Sequence, residues 1–382
     1  MNRRNAEGSI ISRRKFLRGA SLAGAAFAAS PWAARNAWAG ALLRTSSQGQ
    51  DAAAQFMAAP PLMDAGFASA RKVGEGIYAV ISDTTKGSQT LCNGGFVIGK
   101  DAAILWEGFA SPKGAAFQTD ALRKATNVPV KAAIDSHYHF DHSFGNAQYA
   151  AAGFQIWAHS KVVPLMMERY ISIQNRDKAA FYKPAEDHLR NAISDDDKKH
   201  AESDLNTLKF LANGIDNTVL ALPSRSLDPA ELPMKVDLGG REVVIETHPG
   251  HTPGDLIMRV PDADVVFTGD LIFNHSYPVT FDADVLGWLK TLDAFGRYGR
   301  KTVFVPGHGA VCSQEAVDLL KSVFADLAQH ARQMAQMGVP LHEAQARYSV
   351  PEQYKSLGLF TWGFCIDQAV AQFYQAAKEN KI

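Results

Sequence analysis

Asp135-Ser136-His137-Tyr138-His139-Phe140-Asp141-His142 directly follows the run Val130-Lys131-Ala132-Ala133-Ile134. The run has the length and apolar content of a buried strand, so the octad occupies the loop where that strand opens onto the end of a sheet. Three imidazoles and a carboxylate crowded into positions 137–142 offer nitrogen and oxygen donors to a borderline-soft divalent cation. Alternation places His137 and His139 on one side, and the turn into the next helix swings Asp141 and His142 to an adjacent position. One loop therefore supplies half-sites for a pair of metals.

Three further segments place a candidate ligand beside glycine at a strand terminus. Thr247-His248-Pro249-Gly250-His251-Thr252-Pro253-Gly254-Asp255 follows one strand, Thr268-Gly269-Asp270 ends a second, and Val305-Pro306-Gly307-His308-Gly309 ends a third. Glycine at such points lets a loop approach a metal closely. His248 reads as a hydrogen-bonded supporting residue rather than a ligand. His275 reads as a solvated loop residue, and His159, His188, His200, His330 and His342 as ordinary surface or helix residues.

Around these motifs, strands and helices alternate. Residues 76–81, 94–99, 102–106 and 130–135 read as strands with a helix over 113–126 between the last two, and 242–246, 255–260, 265–268 and 303–305 repeat the pattern. Two sheets packed between helices is the economical α/β architecture. Residues from 160 to about 213 differ: Leu189, Ile193, Leu205, Leu208 and Leu211 fall at helical spacing and Ser194-Asp195-Asp196-Asp197 offers a helix start. This charged helical insertion is read as a surface hairpin in preference to a lid. Helices near 314–336 and 364–379 form a C-terminal helical extension, 313–382, after a catalytic domain over 71–312.

The chain has 382 residues, 39 Lys+Arg against 39 Asp+Glu, 46% hydrophobic residues and three cysteines. That excludes disorder and a disulfide-stapled scaffold, and neutrality gives no electrostatic footprint for nucleic acid. Residues 1–39 read as a targeting segment: a basic start, an uncharged Ala/Gly-rich stretch from 19 to 34, and the small-x-small site Ala37-Trp38-Ala39. The uncharged stretch is shorter than the ~20 apolar residues a spanning helix needs, so no stable membrane insertion is expected after cleavage. Ser12-Arg13-Arg14-Lys15-Phe16-Leu17 resembles the twin-arginine export signal. The twin-arginine export machinery would then be a partner, and a periplasmic location follows. Seven basic side chains and one acid leave with the segment, turning 39 of each charge into 32 basic and 38 acidic groups, a formal charge of −6. Residues 40–70, rich in Ala, Ser and Gln, read as a linker. Cys92, Cys312 and Cys365 read as buried thiols, with one bridge to Cys365 as the alternative.

His-x-His-x-Asp-His, Gly-His-Thr, Thr-Gly-Asp and Pro-Gly-His, in that order over roughly residues 75–312, resemble the metallo-beta-lactamase superfamily. The resemblance implies a four-layer αββα sandwich with a dinuclear site at the sheet edge. It implies that His137, His139 and His251 hold one metal, that Asp141, His142 and His308 hold the other, and that Asp270 bridges them. The implied cofactor is two zinc ions (Zn2+) per chain, a pair that can share a water and lower its pKa towards ~7. The activity implied is hydrolysis of an ester, lactone, thioester or lactam bond in a small-molecule substrate. Asp141 would be the catalytic residue, orienting the nucleophile and passing a proton to the leaving group.

Asp270 stands where the best-known zinc beta-lactamases carry Cys or Ser, so the chain resembles the glyoxalase II, lactonase and general esterase branches. Leu271-Ile272-Phe273-Asn274-His275 lacks the basic and tyrosine residues with which glyoxalase II holds glutathione. Asp282-Ala283-Asp284 with Trp288-Leu289-Lys290-Thr291-Leu292 resembles periplasmic hydrolases of the superfamily. Tyr138, Phe140, Phe144, Trp106 and Phe273 either line an apolar pocket or pack around the metal loop. Two other functions stay open: a sulfur (persulfide) dioxygenase with one ferrous ion (Fe2+), and a non-catalytic periplasmic metal-binding accessory protein.

Overall fold

Several strands are apolar at every position, a pattern stable only in a sheet covered on both faces. A computed structural model describes residues 52–192, 215–358 and 362–382, with isolated positions between 198 and 212. The twin-arginine stretch and the 1–39 segment lie outside the described residues. One sheet has eight strands in sequence order: β1 (Met63–Asp64), β2 (Ala68–Gly74), β3 (Ile77–Ser82), β4 (Gly94–Ile98), β5 (Ala103–Trp106), β6 (Val130–Ile134), β7 (Ile156–His159) and β8 (Arg225–Leu227). The other has five: β9 (Met234–Asp237), β10 (Glu242–Thr247), β11 (Leu256–Val260), β12 (Val265–Phe273) and β13 (Val303–His308), with β13 against β12. β1 to β5 are antiparallel neighbours, β5 to β8 run parallel, and so do β12 and β13.

Alternation sorts each strand between two cores. In β5, Ile104 and Trp106 enter the cluster between the sheets, while Ala103 and Leu105 face the opposite layer with Ala115, Phe117, Ala121 and Leu122. Those last four belong to the helix Pro112–Ala125, which Ser111 caps by accepting from Gly114 N at 3.2 Å. In the second sheet Val265 and Phe267 face inward, whereas Val266 joins Trp288, Phe324 and Phe373 on the outer face. The helices Val285–Phe295, Gln314–Gln336 and Trp362–Lys378 cover that face. The result is the αββα sandwich, with each fully buried large side chain contributing about 1.5–3 kcal/mol.

The boundaries differ from expectation in instructive places. Ala52–Ala58 is helical and β2 starts at Ala68, inside the stretch read as linker. β12 runs on through Thr268-Gly269-Asp270 instead of ending there, because pairing with β13 continues past a register shift at Gly269. The described part of the larger of two compact units lies within 52–171 and 218–382, so the π-helical turn Met167–Ile171 belongs with the sheets. The described part of the smaller unit lies within 172–217. There the helix Lys178–Arg190 carries Leu189, Leu205 is buried, and Arg176 holds both carboxylate oxygens of Asp216 at 2.7 and 2.9 Å. Ile193, Ser194, Leu208 and Leu211 lie outside the described residues. Cys92 is a buried free thiol and Cys312 is buried, while the side chain of Cys365 lies outside what is described. Among the described residues no helix is long and apolar enough to cross a membrane.

Candidate metal centre

Parallel pairing of β5 with β6 brings the chain out of both strands at one end of the sheet, delivering Glu107 beside Asp135 and Ser136. Glu107 N donates to Ile134 O at 2.8 Å and Ser136 N donates to the Glu107 carboxylate at 3.1 Å. The chain then turns into the short helix Phe140–Ser143 with His139 at its cap, which separates His137 and His139 from Asp141 and His142. β12 and β13, also parallel, deliver Asp270 and His308. The sheets meet here through Leu256 N donating to Ser136 O at 2.8 Å. Glycine is required twice: a Cβ on Gly307 would collide with the Asp270 carboxylate, and Gly269, at φ +50°, lies where a Cβ would be 2.5 Å from Ser136 Oγ.

Seven side chains converge in two groups, His137, His139, His251 and Asp270 in one and Asp141, His142 and His308 in the other. His139 Nδ1 lies 2.9 Å from both His137 Nε2 and His251 Nε2, and Asp270 Oδ2 lies 3.3 Å from His251 Nε2. In the second group His308 Nε2 is 3.4 Å from Asp141 Oδ2, and His142 Nε2 is 3.5 Å from the same oxygen. Asp270 spans the groups, since its Oδ1 faces His142 Nε2 at 3.2 Å and His308 Nε2 at 3.3 Å.

The donor atoms fit bound cations. His251 Nδ1 donates to Val279 O at 2.9 Å, so its Nε2 carries the lone pair. His142 Nδ1 faces Glu107 Oε1 at 3.2 Å and Ser136 Oγ lies 2.8 Å from His137 Nδ1, so each ring turns its Nε2 to the centre. The ligand-type atoms of each group therefore face one another within 4.8 Å. Among the described residues His142 Nε2 and Asp270 Oδ1 are buried and make no hydrogen bond of proper geometry, a costly arrangement unless a third species satisfies both. The chemistry of two metal-ligand sets sharing a carboxylate meets that need.

Electrostatics divides the groups. Burial, with the neighbouring imidazoles, holds His137 and His139 well below the ordinary histidine range, and burial also lowers His251. His308 is pulled down by burial too, but Asp270 and Asp141 outweigh it and push it up to about 9. His142 is likewise raised against burial by Cys92, Asp270, Glu107 and Asp141. Asp270 is depressed well below the carboxylate range despite burial, by His308, His142 and His251.

Glu107 and Ser136 escaped sequence reasoning. Glu107 is fully buried with φ +75°, an unfavourable backbone for a non-glycine residue, held by Gln118 and Tyr149 from behind. The available signal was a lone acid directly after four apolar strand residues. Cys92 Sγ donates to Asp141 O at 2.9 Å. Asn93 Nδ2 donates to Pro306 O at 3.0 Å and Gly309 O at 2.7 Å, steadying the loop of His308. His248 is no member of either group; it pairs with Glu246 at 3.2 Å. His275 is exposed. His159 corrects its surface reading: it is buried at the end of β7, accepting from Lys161 N at 3.1 Å. His330 lies on the helix Gln314–Gln336 and His342 is exposed, whereas His200 and the side chain of His188 fall outside what is described. Of the aromatics, Trp106 packs between the sheets, Phe273 stacks on His308 at 5.3 Å, and Tyr138 meets His139 at 4.5 Å.

An αββα sandwich carrying this paired His/Asp centre is a metal-dependent hydrolase fold. The family model described as "Metallo-beta-lactamase superfamily" matches residues 88–308. That is more than half of the chain, and the chain belongs to this superfamily. Uncharacterized proteins of Mycobacterium bovis and Mycobacterium tuberculosis are each 40% identical over 83 residues, 20% of this chain and 37% of theirs. The match thus spans little over a third of those curated relatives. A solved metallo-beta-lactamase from Pontibacter korlensis is 16% identical, with TM-score 0.48, over 67% of this chain and 98% of its own.

Proposed function

We propose that this protein is a periplasmic zinc-dependent hydrolase, exported by the twin-arginine route, that cleaves an ester, lactone, thioester or lactam bond. The observation that carries the reading is the two-sided Asp270 carboxylate, with Oδ2 at 3.3 Å from His251 and Oδ1 at 3.2 Å from His142. When bound, a pair of zinc ions would supply acidified water and Lewis-acid polarisation of the scissile carbonyl. The remaining roles belong to the chain. Asp141 is 14% exposed against 0% for His142, so its carboxylate is the member of its group open to substrate. There it orients the attacking water, accepts its proton and returns that proton to the leaving atom. Glu107, Ser136 and Val279 O hold the imidazoles of His142, His137 and His251 with Nε2 turned to the centre. Phe273 and Phe281 pack against His308 and His139 and keep bulk water from the rear of the centre.

Elemental mass spectrometry of the exported protein tests the reading. About two zinc ions per chain supports it. About one iron with little zinc overturns it in favour of the persulfide dioxygenase.

A further inference from the structure

Asp282-Ala283-Asp284 belongs to neither ligand group. Asp284 has an ordinary role, capping the helix Val285–Phe295 by accepting from Gly287 N at 2.9 Å. Asp282 turns the other way. Its Oδ2 accepts from the Tyr138 hydroxyl and its Oδ1 from the Arg169 guanidinium at 3.2 Å. Tyr138 sits in the chain between two candidate ligands and is 2% exposed. Arg169 comes from the π-helical turn Met167–Ile171, a geometry enriched at functional sites. The same turn sets Tyr170 against Tyr138 at 6.1 Å and Phe144 at 5.0 Å. The segment that carries Asp282 also provides Val279 O to His251 at 2.9 Å and the Phe281 ring to His139 at 5.0 Å. One short stretch thus contacts His251, His139 and the residue between His137 and His139.

We propose that Asp282 is a positioning residue for the metal centre, acting through Tyr138 while Arg169 balances its charge. The inference rests on the reading that the His/Asp centre holds metal. The chain bends at Ser136-His137-Tyr138, and the Tyr138 ring packs on the His139 imidazole at 4.5 Å. Holding the Tyr138 hydroxyl on Asp282 therefore fixes that ring against His139 and, with it, the bend that aims both His137 and His139. A merely structural role would have Tyr138 satisfy its buried hydroxyl and stabilise the fold without any preference for the metal-loaded geometry.

The two roles separate in an experiment on the full chain. Zinc(II) affinity is measured by competition with a chromophoric chelator, together with the visible absorption of the cobalt(II) form and the melting temperature of the metal-free protein. Tyr138→Phe and Asp282→Ala are each expected to weaken zinc binding about 10–100-fold and to alter the cobalt spectrum. The double variant should be no weaker than the worse single one, and Asp282→Asn, which still accepts from the hydroxyl, should recover part of the loss. Affinities within roughly twofold of the parent, with only the metal-free melting temperature lowered, would overturn the proposal. So would losses that multiply in the double variant. If Asp282→Ala does not fold, Tyr138→Phe, which deletes one oxygen, decides alone. A parent that takes up neither metal overturns the hydrolase reading and this inference together, whereas unaffected variants of a metal-binding parent overturn this inference only.

Discussion

Glu107 Oε1 lies 3.2 Å from His142 Nδ1, with both side chains wholly excluded from solvent. The contact gives a buried imidazole a charge partner at Nδ1, on the side away from the centre. Glu107→Gln keeps the shape and removes the charge, so zinc affinity is expected to fall about 10–100-fold. Chelator competition measures this, and parental affinity in the variant would refute the role.

Gly307 is the point where β13 passes the Asp270 carboxylate with no room for a Cβ. Gly307→Ala should displace Asp270 and remove metal binding from both groups. Gly153→Ala is the matched control, since Gly153 at φ +76° has nothing within 4 Å and the alanine there carries backbone strain alone, about 1–2 kcal/mol. Metal content and melting temperature of the pair separate steric from conformational effects. Full metal occupancy in Gly307→Ala contradicts the close approach.

Asp141→Ala and His251→Ala should abolish turnover while the protein stays folded, because each removes a member of the ligand groups and leaves the three hydrophobic clusters intact. Loss of the proton-transfer role of Asp141 alone costs about 10²–10⁴ in rate. Circular dichroism checks the fold and hydrolysis of a panel of lactones, esters, thioesters and lactams checks activity. Full activity in either variant defeats the hydrolase mechanism.

Metal uptake should depend on pH in a defined direction. In the metal-free chain His308 has its pKa raised to about 9, against burial, by Asp270 and Asp141. A raised folded-state pKa stabilises the metal-free fold fully below the unfolded value of about 6.5, and this contribution is lost as pH rises towards about 9. Metal needs the neutral imidazole, so loading between these values displaces a proton and apparent affinity climbs with pH. His137, His139 and His251, all lowered, are neutral at pH values near 7 and release none. An indicator dye during zinc titration, with melting curves of the metal-free protein, follows both effects. Zinc loading at neutral pH without proton release would contradict this assignment.

The octad 135–142, the three glycine-flanked motifs and the fully apolar strands were legible in the sequence because each is a local pattern. Ligand types at short spacing mark metal chemistry, and period-two alternation marks a strand whatever lies far along the chain. The sequence therefore determined the α/β class, the ligand candidates and two helices, read over 113–126 and near 314–336 and found at 112–125 and 314–336. Only the tertiary structure decided which acid stands behind His142, that the Asp270 implied as a bridge lies within β12, and that Asp282 answers Tyr138 beside the ligand groups. Those relationships join residues from different strands and turns. Strand order, parallel pairing and the bulge at Gly269 create them, and a linear pattern carries no record of what the fold places opposite a side chain.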